Sequence, residues 1–168
     1  MDISDRIAFD SLVRNYRESL TRAAYHLCGD REAACDIVQE TFVAAYKAFA
    51  GLREPDKASA WLYTILRHKV ISNARARKPE VELVEDCATA STDDAQAQVR
   101  QIVIEQMSKL SEEDREILAG KYLLGLSYKE LAESLGVKES VIRVRSLRAK
   151  ERLRQILRGV GVTVPEKR

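Results

Sequence analysis

Ser127-Tyr128-Lys129-Glu130-Leu131-Ala132-Glu133-Ser134-Leu135-Gly136-Val137-Lys138-Glu139-Ser140-Val141-Ile142-Arg143-Val144 is the stretch that decides the fold. Ser127 with Glu130 three residues on fits a capping box, in which a hydroxyl caps the helix and a carboxylate reaches back to the cap. Leu131, Ala132 and Leu135 then share one helical face, and Gly136 makes a tight turn. A longer helix runs from about Glu139 to Leu157. A short helix, a glycine turn and a longer helix make a helix-turn-helix. At about 100° per residue, Ile142, Ala149 and Leu153 fall on one side and, with Val137, face inward. Ser140, Arg143, Val144, Leu147 and Arg148 lie opposite. That mixture suits a DNA groove, because Arg bonds guanine edges or phosphates and aliphatic carbons meet thymine methyls. Lys138 stands at the cap position of the second helix, and an ammonium cannot accept a bond from the orphan amides. Glu139 or Ser140 is therefore expected to cap it, starting the helix one or two residues later.

Charge points the same way. Residues 138–158 hold eight Lys or Arg against Glu139 and Glu151, a net of +6, whereas the whole 168-residue chain is only +2. A near-neutral protein with one strongly basic helix is polarised toward a polyanion. Just upstream, Ser111-Glu112-Glu113-Asp114 reads as a second capping box, opening a helix with Ile117, Leu118, Tyr122 and Leu123. Before that, residues 79–98 carry six acidic residues and no Lys or Arg. Residues 79–93 read as an interdomain linker, with a helix resuming near Asp94.

The N-terminal half is helical too. Phe9, Leu12, Val13, Tyr16, Leu20, Ala23 and Leu27 recur at steps of three and four and stop at Cys28-Gly29-Asp30. A second stripe runs from Ala34 to Phe49, and Pro55-Asp56 opens a third helix through Trp61, Leu62, Ile65, Leu66 and Val70 to Pro79. Its end, residues 67–78, collects Arg67, His68, Lys69, Arg75, Arg77 and Lys78 without one acid, behind Trp61 and Tyr63. Rings beside cations stack on and hold unpaired bases.

The fold class is all-α: two small helical domains, residues 5–78 and 94–158, joined by an acidic flexible linker at 79–93. Their cores are expected to be small and separate, and their mutual contact weak, so the linker permits extended and compact arrangements. Three cysteines are too few for a disulfide framework and fit a reducing compartment. His26, Cys28 and Cys35 make a loose metal-like cluster, but buried structural thiols are the stronger reading, and no metal or cofactor is expected. No signal peptide, apolar span, phosphate loop or nucleophile–base pair is visible, so a secreted protein, a membrane protein and an enzyme are disfavoured.

Asp36-Ile37-Val38-Gln39-Glu40-Thr41-Phe42, Ala60-Trp61-Leu62-Tyr63-Thr64-Ile65 and the basic helix end resemble region 2 of bacterial sigma factors. Leu110 to Leu118, Gly125 to Ala132 and Arg148 to Arg154 resemble region 4. Two regions joined by a linker look like the compact extracytoplasmic-function (ECF) class. The resemblance implies an alternative sigma factor in the cytoplasm that binds core RNA polymerase and directs promoter-specific initiation, controlled by an anti-sigma factor. It implies that Asp36, Gln39, Glu40 and Phe42 meet the polymerase clamp helices. Trp61, Tyr63, Arg67, His68, Arg75, Arg77 and Lys78 would hold the melted −10 element. Ser140, Arg143, Val144, Leu147 and Arg148 would read the −35 element, with another face of region 4 on the polymerase flap. The acidic linker would pass near the RNA exit path. Alternatives are a sigma mimic that titrates an anti-sigma factor and a helix-turn-helix repressor.

Overall fold

The computed structural model describes residues 3–52, 54–76 and 94–162, and every helix and turn in them belongs to an all-α fold. α1 (Ile3–Cys28) turns back at Gly29, whose φ of 72° is left-handed and suits a residue without a Cβ. Asp30 then caps α2 (Arg31–Ala48) by accepting the Ala33 N–H at 2.8 Å. Two short 3₁₀ turns, Phe49–Gly51 and Pro55–Lys57, lead into α3 (Ala58–Ala76). These three helices bury Leu20, Ile37, Leu62 and Leu66 among one another, and Phe9 meets Phe49 edge-on at 5.3 Å.

α4 (Asp94–Met107), α5 (Glu112–Tyr122), α6 (Tyr128–Leu135) and α7 (Glu139–Gly159) form the second half. The Ser127 capping box is complete: the Glu130 N–H donates to Ser127 Oγ, and the Ser127 N–H donates to Glu130 Oε2 at 2.8 Å. Gly136 ends α6 in the left-handed region at φ 67°. Ile142 and Ala149 are buried beneath α7, as the wheel requires.

Four expectations need correction. Ser111 does accept the Asp114 N–H at 3.2 Å, but the Asp114 carboxylate pairs with Arg152 of α7 instead of returning to the cap. α7 starts directly after Lys138 with no side-chain cap, so its start is not shifted. Cys35 is disulfide-bonded, against the expectation of reduced thiols. The largest correction concerns the two halves. Their mutual contact is not weak: α1 packs on α5 and α3 on α6. One buried cluster runs from Leu20, Leu62, Tyr63 and Leu66 into Ile117, Leu126, Leu131 and Ile142. The halves close because each presents apolar side chains that its own few helices cannot cover. A second, smaller cluster of Met107, Leu110, Leu118 and Ala149 belongs to the C-terminal half alone. The linker assigned to 79–93 lies outside the described residues, as do Arg77, Lys78 and Cys87.

Candidate nucleic-acid and polymerase interfaces

On α7 the amphipathic pattern leaves Ser140, Arg143, Val144, Leu147 and Arg148 together in solvent. Val144 and Leu147 are 49% and 72% exposed. Much of the basic charge around them is already matched. Arg145 pairs with Glu113 at 2.7 Å, Arg154 with Glu151 at 2.7 Å, and Arg152 with Asp114. Arg143 donates from Nε and Nη2 to Glu139 Oε1 at 3.0 and 2.6 Å. Arg148 has no ion pair among the described residues. The open face thus keeps one bare cation and one buttressed cation on either side of Val144 and Leu147, which is polar enough for phosphates and apolar enough for a base methyl.

The α3 residues are placed differently. Tyr63 is fully buried, and its hydroxyl donates to the Glu116 carbonyl of α5 at 2.7 Å. Burial pushes that phenol well above its ordinary range, with the Glu116 charge adding to the effect. Arg67 pairs with the Glu116 carboxylate at 3.0 Å, and Glu116 is only 6% exposed. Burial raises the Glu116 carboxyl above its usual value, against the opposing pull of Arg67. Trp61 is half-buried on the core, and His68 is exposed. Arg75 lies on the last turn of α3. Tyr63 and Arg67 are thus brought together, but against α5 and not on an open surface. Two further bonds seal that seam: Ser59 Oγ donates to Leu124 O at 2.8 Å, and the Thr64 and Ser134 hydroxyls meet at 3.0 Å.

On α2, Asp36, Gln39 and Glu40 are exposed beside the buried Ile37 and Val38, so one helix separates a core stripe from a polar outer face. Glu40 already holds Lys69 of α3 at 3.0 Å, and Phe42 is half-buried against the core. Val43 and Tyr46 continue the exposed side of α2 with apolar groups. His26, Cys28 and Cys35 form no metal-holding group, and no helix is long and apolar enough to cross a membrane, among the described residues.

Three positions were not anticipated from sequence. Glu116 of α5 carries the seam through distant α3 residues, and Gly120 lies under Leu131 and Leu126 of its own half as well as Tyr63 of α3. Tyr128, directly after the Ser127 cap, has Lys121 and Arg143 over its ring at 4.5 and 5.0 Å. An aromatic residue beside a cap of the helix-turn-helix was the available signal for it.

Two family models match the chain, Sigma-70 region 2 over residues 12–80 and Sigma-70, region 4 over residues 100–153. The ECF RNA polymerase sigma factor SigL of Mycobacterium tuberculosis is 30% identical, over 86% of this chain and 85% of its own length. SigM of Bacillus subtilis, also an ECF RNA polymerase sigma factor, is 27% identical over 92% of this chain and 99% of its own. Among solved structures, CnrH in complex with the cytosolic domain of CnrY superposes with a TM-score of 0.70 at 27% identity, over 92% of this chain and 90% of that one.

Proposed function

The chain belongs to the ECF RNA polymerase sigma factors, and from that premise we propose that it binds core RNA polymerase, directs promoter-specific initiation and is held in check by an anti-sigma factor. The observation that carries this reading is the pairing of two sigma regions in order on one chain, the second ending in an exposed, basic recognition helix. Such a protein works in the cytoplasm as a specificity factor; the chemistry of RNA synthesis belongs to the polymerase.

Residues 5–78 serve as the polymerase and −10 domain, 79–93 as linker and 94–158 as the −35 domain. Asp36, Gln39 and Glu40 are exposed on a helix whose inward stripe is occupied, which suits a contact with the clamp helices; Phe42 would support it from the rim. Trp61, Tyr63, Arg67, His68, Arg75, Arg77 and Lys78 would take the −10 element once α3 is uncovered. Ser140, Arg143, Val144, Leu147 and Arg148 would read the −35 element. The likeness to CnrH, which is bound by the cytosolic domain of CnrY, supports control of this chain by a protein partner.

The test is run-off transcription by core polymerase with this chain on a randomised promoter pool. Enrichment of one class of −35 and −10 sequence is expected. Equal transcription with and without the chain would overturn the reading. Binding of DNA without polymerase-dependent transcripts would favour a repressor.

A further inference from the structure

The start of α7 holds an arrangement that sets one arginine in place before any DNA arrives. Glu139 is the first residue of α7, one turn ahead of Arg143, and accepts from two nitrogens of its guanidinium through a single oxygen, Oε1. The guanidinium carbon lies 5.0 Å from the centre of the Tyr128 ring. Tyr128 is itself fixed: it is the first residue of α6, beside the Ser127 capping box, and half-buried against the main core. Lys121 approaches the same ring at 4.5 Å, with its ammonium anchored on Leu126 O at 3.1 Å.

A guanidinium has five N–H donors in a planar fork. Glu139 occupies the Nε/Nη2 edge and the Tyr128 ring takes up a face. Three donors remain, and one from Nη1 with the second from Nη2 forms the terminal edge of the fork. That edge matches two acceptors side by side, as on guanine N7 and O6. A long side chain held on one edge and against one face loses less freedom on binding than a free one.

We propose that Tyr128 is a positioning residue for −35 recognition, holding Arg143 so that its terminal edge reads a base in the major groove. This rests on the reading of α7 as the −35 helix. Glu139 is its partner in that role, which also explains why its carboxylate is not used to cap α7.

The experiment uses holoenzyme made from the full chain and core RNA polymerase, on promoters randomised across the −35 element, with transcripts sequenced. Arg143→Ala is expected to erase the preference at one −35 position. Tyr128→Leu should weaken preference at that same position by about two- to fivefold, the worth of a cation–π contact of this exposure. Tyr128→Phe, which keeps the ring, should retain it. Adding Tyr128→Leu to Arg143→Ala should change nothing further there. A loss of stability alone would lower transcription from all promoters evenly and leave the preference intact. If Tyr128→Leu does not fold, Tyr128→Met fills the space flexibly and carries the same test. The proposal is overturned if the ring-less variant keeps the wild-type preference, if Tyr128→Phe loses as much as Tyr128→Leu, or if the two substitutions act at different positions. A −35 preference untouched by Arg143→Ala overturns the base-reading role of Arg143 itself, and is seen without any Tyr128 variant.

Discussion

The α3 face and the α7 face use similar parts, an arginine beside an aromatic or aliphatic group, and meet opposite fates. On α7, Leu147 is 72% exposed and Arg148 is bare. On α3, Tyr63 is fully buried and Arg67 is spent on Glu116. The difference lies in the partner helix, not in the residues themselves. α5 and α6 offer α3 a carbonyl, a carboxylate, a hydroxyl and the smooth wall at Gly120. Nothing comparable faces the outer side of α7. The consequence is mechanical. One proposed DNA surface is open in this arrangement, whereas Tyr63 and Arg67 of the other are held against α5, so engaging those two residues requires the seam between the halves to part. Differential binding by polymerase and promoter must supply that opening free energy.

Overpacking at Gly120, where α5 meets α6 and Tyr63 of α3, should give the largest effect. A Cβ at Gly120 would stand 2.6 Å from Leu131 Cδ2 and 3.3 Å from both Leu126 Cδ1 and Tyr63 Cζ. Leu131 and Tyr63 are themselves fully buried and have little room to yield. Gly120→Val is expected to destabilise by about 1–3 kcal/mol, the usual range for overpacking. Denaturant unfolding reads the loss, and small-angle scattering should show a larger particle. An unchanged unfolding midpoint would mean that the close packing of Gly120 against Leu131, Leu126 and Tyr63 is wrong.

Tyr63→Phe is the gentler cut. It keeps the ring and removes only the 2.7 Å bond to the Glu116 carbonyl. A loss of about 0.5–1.5 kcal/mol is expected, as for one intramolecular hydrogen bond. Stability equal to or above wild type would show that the hydroxyl does not hold the seam.

The Glu116 carboxyl makes the seam sensitive to pH. Burial raises its pKa in the closed arrangement above the ordinary 4.5. A raised acid favours the protonated form, so its contribution to closure is full below about 4.5 and fades as pH rises through the elevated value. Glu116→Gln, neutral throughout, should flatten that dependence. The measurement is the difference in unfolding midpoint between wild type and variant across pH 4 to 7. Parallel curves would assign the dependence to other carboxylates.

The helical elements of both halves were legible because each carries its own punctuation. Gly29-Asp30, the Ser127–Glu130 box and Gly136 act within a few residues of themselves. The outward face of α7 was legible for the same reason, since one helix wheel decides it. The seam was not. Tyr63 reads as an aromatic ready for a base until Glu116, 53 residues away, takes its hydroxyl. Asp114 reads as the back-reaching half of a capping box until Arg152 competes for it. A guanidinium gives the carboxylate a full counter-charge along with the hydrogen bond, which a backbone N–H does not. Pairings between distant helices leave no periodic trace, which is why the expectation of two weakly touching halves failed.

The smallest effect on stability should come from the open face. Leu147 projects from α7 into solvent and belongs to neither buried cluster. Leu147→Ser should therefore change unfolding free energy by no more than about 0.5 kcal/mol, as exposed positions do. Its effect on transcription should be out of proportion to that. A leucine beside Val144 gives the helix an apolar spot suited to a thymine methyl. Serine there should relax preference at one −35 position while leaving the melting curve and the particle size as they are. That pattern is the mirror of Gly120→Val, which changes stability and shape first. If Leu147→Ser instead destabilises the fold by more than about 1 kcal/mol, α7 is packed on its outer side and the contrast between the two faces does not hold.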